Sequence, residues 1–145
     1  MRSKAPLAMM EQMVMLLVFA LAAALCLQAF TKSDALSARS EARDRAVTLI
    51  QSSVETVRLC GGGTDEALRS AAERLGYRYG DDILWMDYDA EWEPCSNGIY
   101  HLSVRAVPSG VPGLNQVRAA VEADGEVLFE LDAAWQGEVG APEGS

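Results

Sequence analysis

Hydrophobic residues fill the start of the chain almost without a break, as they do in a segment that crosses a membrane. Residues 13–27 are all apolar, and between positions 5 and 30 the run is interrupted only by Pro6, Glu11, Gln12 and Gln28. As a helix rising about 1.5 Å per residue, this stretch reaches roughly 39 Å and exceeds a hydrocarbon core of about 30 Å. We therefore predict a short basic leader over residues 1–6 and a transmembrane helix over residues 7–30.

A cleaved secretory signal is the alternative interpretation of this segment. The apolar part of a signal is about 7 to 15 residues long and ends at a small-x-small cleavage site, which the alanines at 22–24 supply. The apolar run continues past them through residues 25–27, and an acid at position 11 is unusual at the basic start of a signal. A retained span is the prediction, with cleavage at these alanines as the alternative.

The pattern becomes helical and amphipathic after the apolar run. Residues 33–59 contain neither glycine nor proline. Apolar residues mostly recur there every three or four positions, at Leu36, Ala42, Ala46, Val47, Leu49, Ile50, Val54 and Val57. This spacing predicts a soluble continuation of the same helix over residues 31–60, with one buried stripe. The glycines at 61–63 are expected to end it.

Residues 61–136 carry the pattern of a small α+β domain. Thr64 is expected to cap a short helix that ends before Gly76, with a buried face made of Leu68, Ala71, Ala72 and Leu75. After Tyr77 the hydrophobic period changes to two, which predicts strands near residues 83–88 and 99–107 and a hairpin over residues 116–135. The fold class is therefore α+β: a long N-terminal helix packed on an antiparallel meander of about four strands. A disordered tail is expected over residues 137–145.

The register of the hairpin depends on its turn. A two-residue turn at 124–125 places Val121 opposite Leu128 and mixes acids into the apolar face. A three-residue loop over 123–125 gives one wholly apolar face, with the pairs Val121 and Val127, Ala119 and Phe129, and Val117 and Leu131. Because a slip of one residue reverses every side chain, the second register is predicted.

The charge distribution argues against nucleic-acid binding. From Thr64 onward sixteen acids stand against five arginines, and the whole chain carries a net charge of −9. Nucleic acids are bound through clustered lysine and arginine, and no basic stripe follows Arg45. No nucleic-acid partner is expected.

No constellation of residues suggests an enzyme or a cofactor. His101, the only histidine, falls on the outward side of its strand, and the glycines at 61–63 lack the lysine of a phosphate loop. An acidic stretch has the oxygen ligands that Ca²⁺ prefers, but it lacks EF-hand spacing, and a solvated strand face is the alternative. Its acids are Asp81, Asp82, Asp87, Asp89, Glu91 and Glu93. We predict no catalytic site, no cofactor and no metal.

The three cysteines leave open whether the chain forms a disulfide. Cys26 falls inside the predicted span, Cys60 ends the long helix, and Cys95 falls in the predicted loop between the first two strands. A disulfide between Cys60 and Cys95 would close a loop of about 36 residues and stabilise the domain by roughly 3 to 4 kcal/mol. Two unpaired, small hydrophobic thiols are the alternative.

The order of basic leader, apolar span with an early glutamate, continuing helix and antiparallel sheet resembles the type IV pilin and type II secretion pseudopilin superfamily. In that family a prepilin peptidase removes a leader ending in glycine, and the mature chain begins Phe-Thr-Leu-Ile-Glu. Here "MRSKAP" corresponds to the leader and "LAMME" to the mature start. Glu11 therefore takes the family's fifth position, whereas Pro6 stands where the cleavage glycine belongs.

The resemblance implies a role for Glu11 as a subunit-assembly carboxylate, which in the family is neutralised by a neighbouring subunit's N-terminal amine. Since Pro6 should block cleavage, Lys4 or Arg2 of another subunit is an alternative companion, and the lipid headgroup level is an alternative location. The expected partners are the lipid bilayer, other pilin-like subunits including copies of this chain (a homo-oligomer), and secretion or assembly machinery.

The function implied is that of a non-enzymatic structural subunit of a bacterial pilus, competence or type II secretion-like apparatus. Basic residues lie on both sides of the span, so their number on each side does not decide its orientation. The short basic leader and the acidic, lysine-free C-terminal part favour an N-terminus inside the cytoplasmic membrane and a domain outside. The alternative function is a single-pass protein displaying a small acidic domain that binds a ligand or another protein.

Overall fold

The structure of the chain is a computed structural model that describes residues 5–137. Most of the basic leader, and all of the expected disordered tail except Gly137, lie outside the described residues. The chain divides into two compact units, Met1–Glu41 and Ala42–Ser145. Each unit is described separately below.

One helix, α1, dominates the first unit. It runs over Ala5–Cys60 and is 56 residues long, so its C-terminal third belongs to the second unit. Every side chain described in the first unit is exposed, including apolar ones such as Phe19 (75%) and Leu27 (69%). By length and composition this helix is apolar enough to cross a membrane. The expected long N-terminal helix is confirmed.

The α1 segment in the second unit buries one stripe against the sheet. Ala46, Ile50 and Val57 have no exposed surface, and Val54 is 5% exposed. Their spacing of three and four residues puts them on one side of the helix. The predicted stripe is confirmed over this segment. Leu36, which the pattern also assigned to it, lies in the first unit and is 70% exposed.

Helix α2 covers Thr64–Leu75 and ends as expected, with Gly76 in the left-handed region at φ 70°. Its N-cap is Gly63, so the prediction of Thr64 as the cap is wrong. The Thr64 hydroxyl donates instead to Oδ1 of Asn115 at 3.1 Å, and the Asn115 amide donates to the carbonyl of Gly62 at 2.8 Å. These bonds fasten the start of α2 to the sheet. Its buried face is Ala67, Leu68, Ala71 and Ala72.

Within residues 5–137 the sheet has six antiparallel strands rather than about four. They are β1 Arg78–Gly80, β2 Ile83–Tyr88, β3 Pro94–Cys95, β4 Tyr100–Ala106, β5 Leu114–Ala123 and β6 Glu126–Gln136. The order is β1-β2-β4-β5-β6, and β3 pairs with β2. The four longer strands are the predicted meander. The two added strands have only three and two residues, too few to show a period in the sequence.

The core lies between one face of this sheet and the two helices. The sheet contributes alternate residues of its three central strands, and the helices contribute the stripe of α1 and the buried face of α2. The most deeply buried sheet residues are Leu84, Leu102, Val104, Val117, Ala119 and Val121. On β4 the predicted inward residues Leu102 and Val104 are confirmed, whereas Ala106 at the strand end is exposed.

The register of the β5–β6 hairpin corrects the prediction. The turn has two residues, since Ala123 pairs with Glu126, and Asp124 and Gly125 both have positive φ, 52° and 76°. A register shift between Val121 and Glu122 then realigns the strands. The resulting cross-strand pairs are Val121 with Phe129, Ala119 with Leu131, and Val117 with Ala133. The apolar face is preserved by an irregularity rather than by a longer loop.

Candidate functional site

Glu11, the predicted assembly carboxylate, lies in the first unit on α1. Because the helix begins at Ala5, Glu11 stands more than one turn inside it, where the favourable effect of the helix N-terminus on a carboxylate has largely faded. Its surroundings along the helix are exposed apolar side chains, among them Met10 (70%) and Met13 (70%). A carboxylate in such a stretch needs a partner or the headgroup layer if the stretch enters lipid.

Cys60 and Cys95, for which a disulfide and two unpaired thiols were both open, are free thiols in the structure. Cys60 ends α1 and lines a cavity with Trp135 on β6. Cys95 on β3 pairs with Asp87 of β2, at the other edge of the sheet. Strands are about 4.8 Å apart, and β4 and β5 separate these positions. A disulfide requires Cα atoms within about 7 Å.

The last part of the acidic stretch, residues 89–93, forms a tight turn rather than an open set of ligands. Oδ1 of Asp89 accepts the backbone N–H groups of Glu91 (3.0 Å) and Glu93 (2.9 Å). The indole of Trp92 stacks on the ring of Tyr100, with centroids 3.9 Å apart. No group of three or more potential ligands within residues 5–137 is arranged to hold a metal ion. The acids here shape the β2–β3 connection.

His101 lies on the outward face, as predicted, but it has a partner that the sequence did not reveal. Its Nδ1 lies 2.7 Å from Oδ1 of Asp87 on the neighbouring strand, and the Arg78 guanidinium lies 4.0 Å from Oδ2 of the same carboxylate. The register of β2 and β4 places Asp87 directly opposite His101. Asp87, whose side chain is 17% exposed, thus contacts residues of both neighbouring strands, Arg78 of β1 and His101 of β4, and these contacts stabilise the register of that edge.

A cluster of ion pairs lies on the outward face of β5 and β6. Arg118 forms a fork with Asp132, with Nε to Oδ1 at 2.7 Å and Nη2 to Oδ2 at 2.8 Å, and its Nε lies 3.7 Å from Glu130. The hydrogen bond from Arg118 holds the pKa of Asp132 below its ordinary value. Arg118 lies opposite Arg105 of β4, so the two β6 acids also offset a repulsion between arginines.

A groove follows the outer edge of β6. One part, about 640 Å³, is lined by residues 51–58 of α1 and 131–134 of β6. The next part, about 620 Å³, is lined by residues 55–62, Glu66, Trp135 and Gln136. Both parts share Glu55 and Arg58, so the groove is continuous. The hydrophobic periodicity of the sequence predicted which residues point inward. It did not predict that the β6 edge of the sheet stays open beside α1.

Comparison with protein-family models, with curated proteins and with solved structures finds no match for this chain. The functional conclusions below therefore depend on the residues and their geometry, together with the resemblance in the order of segments.

Proposed function

We propose that the chain is a membrane-anchored, pilin-like structural subunit of a bacterial pilus, competence or type II secretion-like apparatus. Residues 7–30 serve as the anchor and as a packing surface for other subunits, and the α+β unit acts outside the cytoplasmic membrane. The role is structural and involves no reaction.

The observation that carries this proposal is the exposed apolar start of α1 with a carboxylate inside it. The large side chains from Leu7 to Phe30 are 57–75% exposed, which is the opposite of a soluble core helix. Lipid or other subunits would remove this surface from water. An isolated carboxylate in lipid is costly, so Glu11 favours an assembly in which a cation of a neighbouring chain meets it.

The fold supports the same proposal. A helix that begins apolar and exposed, and ends by packing its buried stripe on an antiparallel sheet, is compatible with a pilin-like arrangement. Glu11 keeps the family's fifth position counted from Leu7. Pro6 in place of glycine favours a subunit that keeps its leader, in which Lys4 or Arg2 of a neighbour supplies the cation.

Substitution of Glu11 tests the proposal. Glu11→Ala and Glu11→Gln should lower crosslinking and co-purification with other subunits by on the order of tenfold or more, because a buried cation would lose its partner. Gln12→Ala, one residue away at the same depth, is the matched control and should stay within about twofold. Unchanged capture by both Glu11 variants would contradict assembly through Glu11 and favour the display function.

A further inference from the structure

Strand β6 leaves a long backbone edge open. It spans Glu126–Gln136, is the last strand in the sheet order, and within the described residues pairs only with β5. Every second residue of such a strand directs its N–H and C=O groups away from the sheet. An edge of this length is a template for another strand, and proteins normally cover or interrupt it.

The groove beside β6 gives this edge the dimensions of a binding site for an extended segment. Its floor is apolar, since Val54 of α1 is 5% exposed and Leu131 and Ala133 of β6 are half-buried against the core. An added strand would place alternate side chains on this floor, as strand addition requires. The helix side of the groove is polar, with Gln51, Glu55 and Arg58.

The charge of the β6 edge determines which kind of strand can pair with it. The outward face of β6 carries Glu130 and Asp132, and the strand has a third acid at Glu126 and no base. Arg118 of β5 neutralises part of this charge, with its Nε 2.7 Å from Asp132 and 3.7 Å from Glu130, but one arginine beside three acids leaves the edge negative. Side chains on adjacent strands lie about 5 Å apart, so a neighbour with outward lysine or arginine is favoured and an acidic one is repelled. The second unit reinforces this preference, because residues 42–137 contain sixteen acids and eight arginines.

A second copy of the chain fits this edge poorly. In the groove α1 and β6 run in the same direction, since residues 51–58 face 131–134 and residues 59–60 face 135–136. Two β6 strands paired antiparallel by a two-fold axis would therefore place the two α1 segments in opposite directions. Such a pair would also bring together the acids of both edges, Glu126, Glu130 and Asp132 of each copy, and like charges on adjacent strands repel.

We infer that the edge of β6 binds an extended segment of a different protein by strand addition, and that this segment alternates aliphatic with basic side chains. Aliphatic side chains contact Val54, Leu131 and Ala133, while basic ones face Glu130 and Asp132. The site lies in the second unit and is separate from Glu11, so its test does not depend on assembly through the anchor.

The test uses the full chain in uncharged detergent micelles and a nine-residue peptide that alternates lysine with valine. We expect saturable binding, with at least tenfold more hydrogen-exchange protection of β6 amides outside the β5 ladder. The same peptide with alternate backbone amides N-methylated keeps its charge but cannot extend the sheet, and it should not bind. Equal binding of the methylated peptide, or no added protection in β6, would overturn the inference.

Two charge reversals locate the site. Glu130→Lys should weaken peptide binding by tenfold or more, whereas Glu73→Lys, the same change on the exposed surface of α2, should alter it less than about threefold. Equal losses in both variants would show nonspecific attraction and contradict the inference. Protection of β6 that rises with protein concentration, without peptide, would assign the edge to a second copy and overturn the choice of partner.

Discussion

The phenol of Tyr79 on β1 donates a hydrogen bond to the carboxylate of Asp65 in the first turn of α2. The Arg69 guanidinium lies over the same ring, 5.7 Å from its centroid, and forms an ion pair with Asp65 at 3.2 Å. The hydrogen bond that the phenol donates to Asp65 is the main cause that raises the pKa of Tyr79 to about 12, and burial adds to it. This contact joins the short edge strand to a helix.

The raised pKa of Tyr79 predicts a loss of stability at alkaline pH. The contribution is fully present below the ordinary tyrosine pKa of about 10. It is lost as the pH rises from there through about 12, because the unfolded chain releases the proton first. Since Tyr79 is only partly buried, we expect a small effect, which unfolding at a series of pH values measures.

Asp65→Asn keeps an acceptor oxygen but removes the negative charge that favours the protonated phenol. It should return the pKa of Tyr79 toward 10, as followed by NMR of the labelled Tyr79 ring. Asp82→Asn removes the charge of a carboxylate that lies farther from the same hydroxyl, at 3.4 Å, and should change the pKa less. A Tyr79 pKa that Asp65→Asn leaves near 12 would contradict the assignment.

Truncation of Ile50 tests the packing of α1 on the sheet. Ile50 is fully buried, so Ile50→Ala should lower the free energy of unfolding of the second unit by about 2–5 kcal/mol. Leu59→Ala removes a similar side chain that is 69% exposed and should cost about 0.5 kcal/mol or less. Urea denaturation of the two variants gives the comparison, and equal small losses would show that this segment does not pack as described.

Gly98 fills a position where no side chain fits. A Cβ added there would lie 2.0 Å from the carbonyl oxygen of Tyr88, so the backbone would have to move. Gly98→Ala should destabilise the second unit by roughly 3 kcal/mol or more. Gly63→Ala is the control, since nothing lies within 4 Å of its added Cβ, and it should cost about 1 kcal/mol. Thermal unfolding distinguishes them, and a stable Gly98→Ala protein would refute this close approach.

Periodicity in the sequence was sufficient for the long elements. The stripe of α1 from Ala46 to Val57 and the alternation of Leu102 and Val104 both reflect burial on one face, which a single sequence shows directly. The prediction that one face of the β5–β6 hairpin is apolar is also confirmed. The turn still has two residues, because a register shift near Val121 lets the Asp-Gly turn and the apolar face coexist.

The features that sequence reasoning missed depend on contacts between distant segments. Thr64 does not cap α2 because Asn115, far along the chain, engages its hydroxyl. The pairing of His101 with Asp87 follows from the register of two strands, which no local pattern contains. The groove along β6 requires knowing which strand ends the sheet and which helix lies beside it.

The proposed function requires that residues 7–30 remain attached and hold the chain in a membrane. Extraction of membranes with alkaline carbonate, followed by measurement of the intact mass of the chain, distinguishes a retained span from a cleaved signal. We expect the chain to stay with the membranes and its mass to include residues 7–30, whether it begins at Met1 or Leu7. A chain released in soluble form, with a mass that begins after the alanines at 22–24, would show that this segment is a cleaved signal and not an anchor.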